Sequence, residues 1–252
     1  MNVYDNDKVK YANIFNQRGL DYHKAMLMLP RSRDNEFLNI ANQVEYLSEM
    51  TIIDMPSGGN YLKAFLPKNV KVIPLETSSV FANIGDTQIC DWSHFPFEND
   101  TIDVVFCCAA MHHVSSDDRI KFQQEVTRVL KTGGKLVVAD VQKDSKMDTF
   151  LNGFVDKQNS MGHQGVFLDA NFTKEFASEN LIVLKDSIID FPWILSTDVK
   201  MSMKYVQLLF GLDKASNKQI ENYLKENLNL KLNSDNKLQI DWQLRYITFE
   251  KI

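Results

Sequence analysis

The feature that most constrains this chain is a pair of apolar runs that each end in an acidic residue. The first run, Thr51–Ile53, ends in Asp54 and is followed by the turn Pro56-Ser57-Gly58-Gly59-Asn60. The second run, Val70–Leu75, ends in Glu76, 22 positions after Asp54. Apolar runs broken by a glycine turn are typical of buried parallel strands, and this spacing fits one strand–helix–strand unit. The chain is therefore predicted to contain a parallel α/β sheet.

A third acidic residue, Asp91, follows the short run 87–90. Because the carboxyl ends of parallel strands meet at one edge of a sheet, Asp54, Glu76 and Asp91 are predicted to lie near one another. An acid at the tip of the second strand is also where such folds bind ribose hydroxyls. The three acids therefore indicate a nucleoside-containing ligand at this edge.

Two cofactors with a nucleoside part fit that edge, and the turn after the first strand discriminates between them. A dinucleotide site prefers G-x-G-x-x-G, which lets the pyrophosphate lie on a helix N-terminus. The turn here lacks that spacing, and Asp54 before it would repel a pyrophosphate. An acid suits instead a ligand that carries an ammonium group and a sulfonium centre. An NAD(P)-dependent oxidoreductase is thus the less favoured alternative.

The order of motifs over residues 50–141 resembles the class I, Rossmann-like S-adenosylmethionine-dependent methyltransferases, and within them the small-molecule branch similar to methyltransferase type 11. The resemblance rests on the turn Asp54–Gly58, on Glu76, on Asp91–Asp103 before the fourth strand, on His112-His113 after it, and on Arg128–Gly134 before the fifth. Pro56 departs from the pattern, since it replaces the usual first glycine. Each segment is common by itself, and their shared order and spacing carry the resemblance.

The resemblance implies S-adenosyl-L-methionine as the cofactor and S-adenosyl-L-homocysteine as its product. Glu76 is expected to accept from the ribose hydroxyls, Asp91 from the adenine amino group, and Asp54 to face the ligand's ammonium group. The full set of expected cofactor contacts is Asp54, Pro56, Ser57, Gly58, Gly59, Glu76, Thr77, Ser78, Cys90, Asp91, Trp92 and Cys107.

Two histidines are the candidate catalytic residues. His112 follows the fourth predicted strand, and His163 lies in a glycine-flanked loop. Histidine is a common general base because its pKa lies near neutrality, although either ring could instead serve only for packing. Cys107 and its neighbour Cys108 point to opposite faces of a strand, which favours small core residues over a nucleophile. No Cys, His and Asp spacing matches a metal site, so no metal is predicted.

The predicted fold is a single α/β domain over 1–252, with a doubly wound, mostly parallel seven-stranded sheet whose last strand is antiparallel. Residues 1–50 are predicted to form an N-terminal helical lid, 51–141 the cofactor-binding core, and 142–252 the substrate side. A helical cap is expected at about 194–230, between strands six and seven. A helix is predicted over Tyr61–Leu66, and Pro74 is expected to stop strand pairing at Ile73 or to force a bulge.

The acceptor is predicted to bind under residues 11–34, 158–168 and 194–230. These segments contain Met and aromatic side chains, which suit an apolar or ring-bearing acceptor but could equally form the small core of the cap. The residues concerned are Tyr11, Tyr22, Met26, Met28, His163, Phe167, Trp193, Met201, Met203 and Tyr205. Arg31 and Arg33, expected at the surface, could pair with an acidic acceptor.

Composition narrows the partners further. Of the 252 residues, 44% are hydrophobic and 24% charged, as in ordinary soluble globular proteins. The net charge of −5 gives no basic surface for nucleic acid, and no apolar run approaches the length of a membrane helix. The N-terminal residues lack a signal-peptide pattern, and the odd number of three cysteines argues against a disulfide framework. A cytoplasmic protein without membrane contact is predicted, either a monomer or a homodimer.

The function predicted from the sequence is transfer of a methyl group from S-adenosylmethionine to an O, N or C atom of a small-molecule acceptor. Pro56 in the first motif leaves an alternative open. A non-catalytic chain of the same fold could bind a nucleoside or serve as a partner subunit.

Overall fold

The computed structural model describes residues 11–252; residues 1–10, part of the predicted lid, lie outside the described residues. The strands of the sheet are β1 (Thr51–Asp54), β2 (Lys71–Glu76), β3 (Gln88–Ile89), β4 (Ile102–Cys108), β5 (Leu130–Asp140), β6 (Leu181–Ile194), β7 (Lys231–Leu232) and β8 (Leu238–Lys251). They lie in the order β3-β2-β1-β4-β5-β8-β6, and β7 pairs with β8. The pairs among β1 to β5 are parallel, whereas β8 runs antiparallel to β5 and β6.

This arrangement confirms the predicted fold class, with seven strands in the main path and the two-residue β7 paired with the first residues of β8. The helices are α1 (Tyr11–Met28), α2 (Asp34–Ala41), α3 (Ser79–Gly85), α4 (Ser116–Val129), α5 (Lys146–Asp148), α6 (Asp156–Gln158), α7 (Phe172–Phe176), α8 (Val199–Phe210) and α9 (Asn217–Asn227). A π-helix, Thr149–Val155, joins α5 to α6. Short 3-10 turns occupy Leu62–Phe65 and Met111–His113.

The strand order reverses at β1, which has β2 on one side and β4 on the other. In open α/β sheets a crevice forms at such a point, outside the carboxyl ends of the strands, and ligands bind there. Asp54 ends β1 and Cys108 ends β4, so both residues lie at this crevice.

Two apolar layers cover the two faces of the sheet. Along β4, Val104 and Phe106 pack in the layer with α2, α8 and α9, whereas Val105 and Cys107 pack in the layer with α3, α4 and α7. A strand buried on both faces is apolar on both, which explains the continuous apolar sequence Val104–Cys108 within β4. Helix α1 contributes to both layers, and it therefore crosses the carboxyl edge of the sheet.

The chain after β1 differs from the prediction. The expected helix Tyr61–Leu66 is only the 3-10 turn Leu62–Phe65. Gly58 and Asn60 both have positive φ, so the turn extends further than the glycine pair alone. Pro67 then leaves too few residues for a full α-helix.

Pairing in β2 continues past the point predicted for its interruption. Asp54 pairs with Pro74 in regular register, and the expected stop at Ile73 or bulge is absent from this pair of strands. Strand β3 begins to pair with β2 only at Leu75. Within residues 11–252, Pro74 therefore has no neighbouring strand on that side, and this is where a sheet tolerates a proline.

The predicted helical insertion between the last two long strands is present as α8 and α9. Asp198 caps the N-terminus of α8 by accepting from the Lys200 and Met201 N–H groups, and Gly211 ends it at φ +65°. Ser216 and Gln219 form a capping box at the start of α9. Helix α8 packs against α1. Among residues 11–252, no helix combines the length and apolar character that a membrane span requires.

Candidate active site

A cavity lies at the crevice between the ends of β1 and β4. Its lining includes Asp54, Pro56, Ser57, Gly58, His112 and His163 from the predicted site residues. Further lining comes from α1, α2, β6, α8 and β8, through Tyr11, Arg18, Glu36, Trp193, Phe210 and Trp242 among others. The cavity therefore connects the glycine turn with the helical cap.

The glycine turn after β1 is fixed by backbone hydrogen bonds. The Ser57 N–H donates to the Leu75 carbonyl at 2.8 Å, and the Gly58 N–H donates to Glu76 Oε2 at 2.7 Å. Gly58 has φ +58°, a conformation that side chains with a Cβ rarely adopt. A Cβ on Gly59 would come within 2.5 Å of the Tyr61 ring. Both glycines are thus required by the geometry of the turn.

Glu76 is fully buried and accepts from several donors. Its Oε1 accepts from the Thr77 and Ser78 N–H groups, both at 2.8 Å. Its Oε2 accepts from Gly58 and, at 3.4 Å, from the Tyr11 hydroxyl. Burial raises the pKa of Glu76 to about 7, although these hydrogen bonds act in the opposite direction.

Asp54 places an unpaired carboxylate oxygen at the cavity. The residue is 2% exposed, and its Oδ2 has no hydrogen-bond partner among the described residues. Burial raises the pKa of this carboxyl well above its ordinary value, and the charge of Glu76 raises it further. A buried acceptor without a partner costs free energy, so a cationic ligand group at this oxygen would be stabilised.

The predicted contacts at the end of β3 lie outside the cavity lining. Asp91 is exposed, and its Oδ1 accepts from the Ser93 N–H and hydroxyl at 2.8 and 2.5 Å, which lowers its pKa. The Cys90 thiol donates to the His94 carbonyl at 3.1 Å. The Trp92 ring packs edge-on against Tyr11 of α1, with 6.2 Å between centroids. Helix α1 thus covers this part of the edge.

Of the other expected cofactor contacts, Thr77 and Ser78 bind Glu76 through the backbone, and Cys107 lies in the apolar core. Thr77 and Ser78 meet Glu76 through their N–H groups, and the Ser78 side chain caps α3 by accepting from Phe81 at 3.3 Å. Cys107 is fully buried in the layer opposite the cavity, whereas Cys108 lines the cavity. Burial raises the pKa of both thiols well above the ordinary value, which does not favour a thiolate nucleophile.

Both candidate catalytic histidines lie in one cluster, together with His113. The ring centroids of His112 and His113 are 4.0 Å apart, and His163 lies 5.5 Å from the first and 5.1 Å from the second. All three rings are buried. The sequence placed His163 in a separate loop, and only the fold brings it beside the turn after β4.

Hydrogen bonds hold the loop of His163 against that turn. The Val166 N–H donates to the His112 carbonyl at 2.9 Å. The Arg119 guanidinium donates to the Met111 carbonyl at 2.8 Å and also to the Val166 carbonyl. A Cβ on Gly165 would come within 3.1 Å of the His112 ring, so glycine permits this close approach. The cluster is therefore fixed by backbone contacts.

The cap side of the cavity contains a buried ion pair that corrects the prediction for Arg33. Arg33 was expected at the surface, but it is 5% exposed and binds Glu36 through two hydrogen bonds. The Trp193 Nε1 donates to Glu36 Oε2 at 3.1 Å, and the Arg33 guanidinium lies 5.2 Å from the Trp193 ring. Arg31 is exposed and pairs with Asp34 at 2.8 Å.

The aromatic and Met residues predicted near the acceptor divide between the two alternatives, except Met201, which is exposed; Met28 is partly buried against the apolar core. Tyr11, Tyr22, His163 and Trp193 line the cavity, whereas Met26, Phe167, Met203 and Tyr205 are buried in the apolar core. Trp193 stacks on Trp242 with 4.1 Å between centroids, and Phe210 lies parallel to Trp193 at 6.0 Å. These three rings form a flat apolar wall, to which the sequence pointed only through Trp193.

Comparison with known proteins agrees with this geometry. A family model described as "Hypothetical methyltransferase" matches residues 35–181, more than half of the chain. The chain belongs to that family. The class I, S-adenosylmethionine-dependent methyltransferase predicted from the sequence is thereby confirmed at the level of family and fold.

Individual curated relatives match a smaller part of this chain than the family model does. The chain is 34% identical over 73 residues to the sterol 4-C-methyltransferase strm-1 of Caenorhabditis elegans, a match that covers 27% of this chain and 21% of the relative. The chain matches only about a fifth of the length of its curated relatives, 21% and 22%.

Solved structures show the shared fold. The YcgJ protein of Bacillus subtilis has 18% identity and a TM-score of 0.57, over 86% of this chain and 97% of that one. Geranyl diphosphate C-methyltransferase from Streptomyces coelicolor, solved with Mg²⁺, geranyl diphosphate and S-adenosyl-L-homocysteine, has 13% identity and a TM-score of 0.57, over 92% and 84% of the chains.

Three polar residues around the methyltransferase cavity were not found from the sequence. Glu36 and Asn152 lie in helical segments without a motif, so nothing local marks them. Asp140 ends β5, and its position after an apolar run was the same signal that marked Asp54 and Glu76. An acid that ends an apolar run therefore indicates a site residue at the fifth strand as it does at the first two.

Because Arg33 and Glu36 form a buried ion pair, removing one partner is expected to lower stability more than removing both. Replacing only Glu36, by Glu36→Leu, leaves the Arg33 charge buried and unpaired, and we expect a loss of roughly 3–5 kcal/mol in the free energy of unfolding. The double variant Arg33→Met/Glu36→Leu removes both charges and should be clearly more stable than the single variant. Urea unfolding of the three proteins measures this. Equal stability of the single and double variants would contradict the pairing.

The raised pKa of Glu76 predicts a pH-dependent stability of the ligand-free methyltransferase. The ordinary pKa is 4.5 and the folded value is about 7, so the folded chain retains a proton that the unfolded chain releases. This group's contribution to stability is therefore full below pH 4.5 and is lost as pH rises to about 7, by up to roughly 3 kcal/mol.

Urea unfolding of wild type and Glu76→Ala, measured from pH 5 to pH 8, tests this expectation. The free energy of unfolding of wild type relative to the variant should fall across that range. The variant also loses hydrogen bonds, which adds an offset, and it loses the Glu76 charge that raises the pKa of Asp54, which changes the difference in the same direction. A difference between the two proteins that stays constant from pH 5 to pH 8 would show that Glu76 titrates normally.

Proposed function

We propose that this chain transfers the methyl group of S-adenosylmethionine to a small, largely apolar acceptor that binds beneath the helical cap. The observation that carries the proposal is the single cavity that joins the glycine turn, at Asp54 and Gly58, to the aromatic wall of Trp193, Phe210 and Trp242. The histidine cluster lines the same cavity. Methyl transfer is an in-line displacement, which requires donor and acceptor in one water-poor space.

The donor is proposed to bind at the carboxyl edge of β1 to β3. Asp54 supports this placement, because its unpaired Oδ2 is suited to the ammonium group of the methionine part. Glu76 is proposed to bind the ribose hydroxyls, and Asp91 and Trp92 the adenine. The remaining expected contacts, including Gly59 and Cys90, surround the same edge.

Tyr11 of α1 occupies the place that this arrangement assigns to a ribose hydroxyl. Glu76 has four acceptor positions; three backbone N–H groups fill three of them, and the Tyr11 hydroxyl, at 3.4 Å, fills the fourth weakly. A ribose hydroxyl that donates to Oε2 would replace it. We therefore assign α1 and α2 as the lid, with the first turn of α1 moving when the cofactor enters.

The acceptor class rests on the wall opposite the donor. Three stacked aromatic rings favour a flat or branched apolar skeleton over a sugar or nucleotide. Two of the related proteins are named for substrates with an apolar carbon skeleton, a sterol and geranyl diphosphate, of which the second also carries a charged diphosphate. The buried Arg33 is already satisfied by Glu36, so it supports no acidic group of the acceptor.

The histidine cluster supplies the polar groups for the reacting end of the acceptor. His112 and His163 are proposed as the catalytic residues, because both line the cavity and each has, among residues 11–252, one ring nitrogen engaged by a neighbouring side chain. The other nitrogen remains for the acceptor's proton or for a ligand. Burial lowers the pKa of His163 well below its ordinary value, so this ring is neutral at pH 7.

Binding of S-adenosyl-L-homocysteine tests the donor site. We expect Glu76→Ala to weaken binding by roughly 1.5–3 kcal/mol, because charge-assisted hydrogen bonds to the ribose are lost. The exposed Glu98→Ala is the matched control and should bind as wild type does. Isothermal calorimetry measures all three proteins. Unchanged affinity in Glu76→Ala would remove the ribose assignment.

The acceptor site is tested by transfer of a radiolabelled methyl group to isoprenoid, sterol and phenolic acceptors. Trp242→Ala should raise the KM for the acceptor at least several-fold and leave the affinity for S-adenosyl-L-homocysteine unchanged, since it removes part of the aromatic wall alone. Phe172→Ala, which removes a buried ring from the other face of the sheet, controls for general destabilisation. If both variants raise the KM equally, Trp242 does not contact the acceptor.

A further inference from the structure

The three clustered histidines share a property that methyl transfer by itself does not require. One ring nitrogen of each of His112, His113 and His163 can be chosen so that all three atoms lie within 4.8 Å of one another. The cluster lies at the wall of the cavity, and its rings are buried. Grouped lone pairs in a buried site are the arrangement that binds a metal ion.

His112 is oriented by a buried carboxylate. Asp140 accepts at 2.9 Å from the His112 backbone N–H and at 2.7 Å from the Val141 N–H, which fixes the carboxylate as an acceptor. His112 Nδ1 lies 2.7 Å from Asp140 Oδ1, so Nδ1 carries the hydrogen and donates it. The lone pair is consequently on Nε2. This carboxylate–histidine pairing is the common second contact of metal-bound histidines.

His163 is oriented in the same manner by an amide. Asn152 donates through Nδ2 to the Gly165 carbonyl at 2.8 Å and accepts through Oδ1 from the Gly165 N–H at 2.8 Å. These two bonds fix which end of the amide is oxygen. His163 Nδ1 lies 3.0 Å from that oxygen and must therefore donate to it. Its Nε2 also retains a lone pair.

His113 completes the set with a nitrogen that lacks a partner. Its Nδ1 is buried without a hydrogen bond in the part of the chain that the structure describes. A buried polar atom left unpaired costs free energy, and a ligand at this position would recover it.

We propose that His112, His113 and His163 together bind one divalent transition-metal ion, with zinc as the first candidate. Three neutral imidazoles are a ligand set for Zn²⁺ and related ions and leave a fourth position open. Zn–N bonds of 2.0–2.1 Å in a tetrahedral site place ring centroids about 5 Å apart. The His163 distances of 5.5 and 5.1 Å meet this value, and the His112–His113 pair at 4.0 Å has to separate slightly.

The open position would face the acceptor cavity. Arg18 also lines this cavity, and its positive charge favours an anionic fourth ligand. A bound metal lowers the pKa of a coordinated hydroxyl. An acceptor hydroxyl there would release its proton to water and form the O–CH₃ bond, while the C–S bond breaks and its electron pair stays on sulfur. This last step rests on the proposed methyl transfer; metal binding itself does not.

Metal titration of the full chain, freed of metal beforehand, tests the proposal. We expect one Co²⁺ or Zn²⁺ per chain, with visible absorption bands of four-coordinate Co²⁺ that disappear when Zn²⁺ is added. His163→Ala should lose the bands and the tight binding, whereas the exposed His94→Ala should keep both. Stoichiometry and bands unchanged in His163→Ala, or absent from wild type, would overturn the site.

A second variant covers the case in which His163→Ala does not fold. Asn152→Leu leaves all three ligands in place but removes the group that orients His163, and loss of such an outer contact should weaken metal binding roughly 10–100-fold. Wild-type metal affinity in this variant would contradict the orienting role. Calorimetry with S-adenosyl-L-homocysteine on the same proteins separates the two proposals, since that ligand should bind with or without metal.

Discussion

The cofactor edge of this protein depends on one buried carboxylate. Glu76 ends β2 and accepts from the backbone of the glycine turn at Gly58 and from Thr77 and Ser78 at the start of α3. These bonds tie together the two loops between which a nucleoside would lie. Burial of such a group is costly, and three short hydrogen bonds with backbone donors offset the cost. The loops are therefore positioned by the same residue that is proposed to bind the ribose.

The acceptor side follows a different physical principle. Most of its polar groups are paired within the protein, as Arg33 is with Glu36 and His112 is with Asp140, and the rest of its wall is aromatic or aliphatic. Pairing removes most of the cost of burying charge and leaves few groups free to bind a ligand. Among the described residues that line the cavity, the buried exceptions are Asp54 Oδ2, Ser57 Oγ, Arg18 Nε and nitrogens of the histidine cluster. These exceptions mark where the protein's polar chemistry remains available.

Much of the fold and of the donor edge could be predicted from the sequence. The strands ending at Asp54 and Glu76 were recognisable because an apolar run, an acid and a glycine turn are local signals of a parallel strand end. Sequence patterns gave wrong predictions at positions whose structure depends on residues distant in the chain. Pro74 was expected to interrupt β2, but β3 begins too late to require its missing N–H. Arg33 was expected at the surface, although Glu36 and Trp193 enclose it.

The sequence by itself determined the order of strands and helices, the acids at the strand ends and the methyltransferase family, because each depends on residues close together in the chain. Only the tertiary structure decided that His163 joins His112 and His113, and that Asn152 and Asp140 orient two of these rings. Contacts between distant segments have no periodicity that a sequence pattern could reveal. They form because a parallel sheet brings the ends of separate strands to one edge, and the loops that follow those strands must pack there.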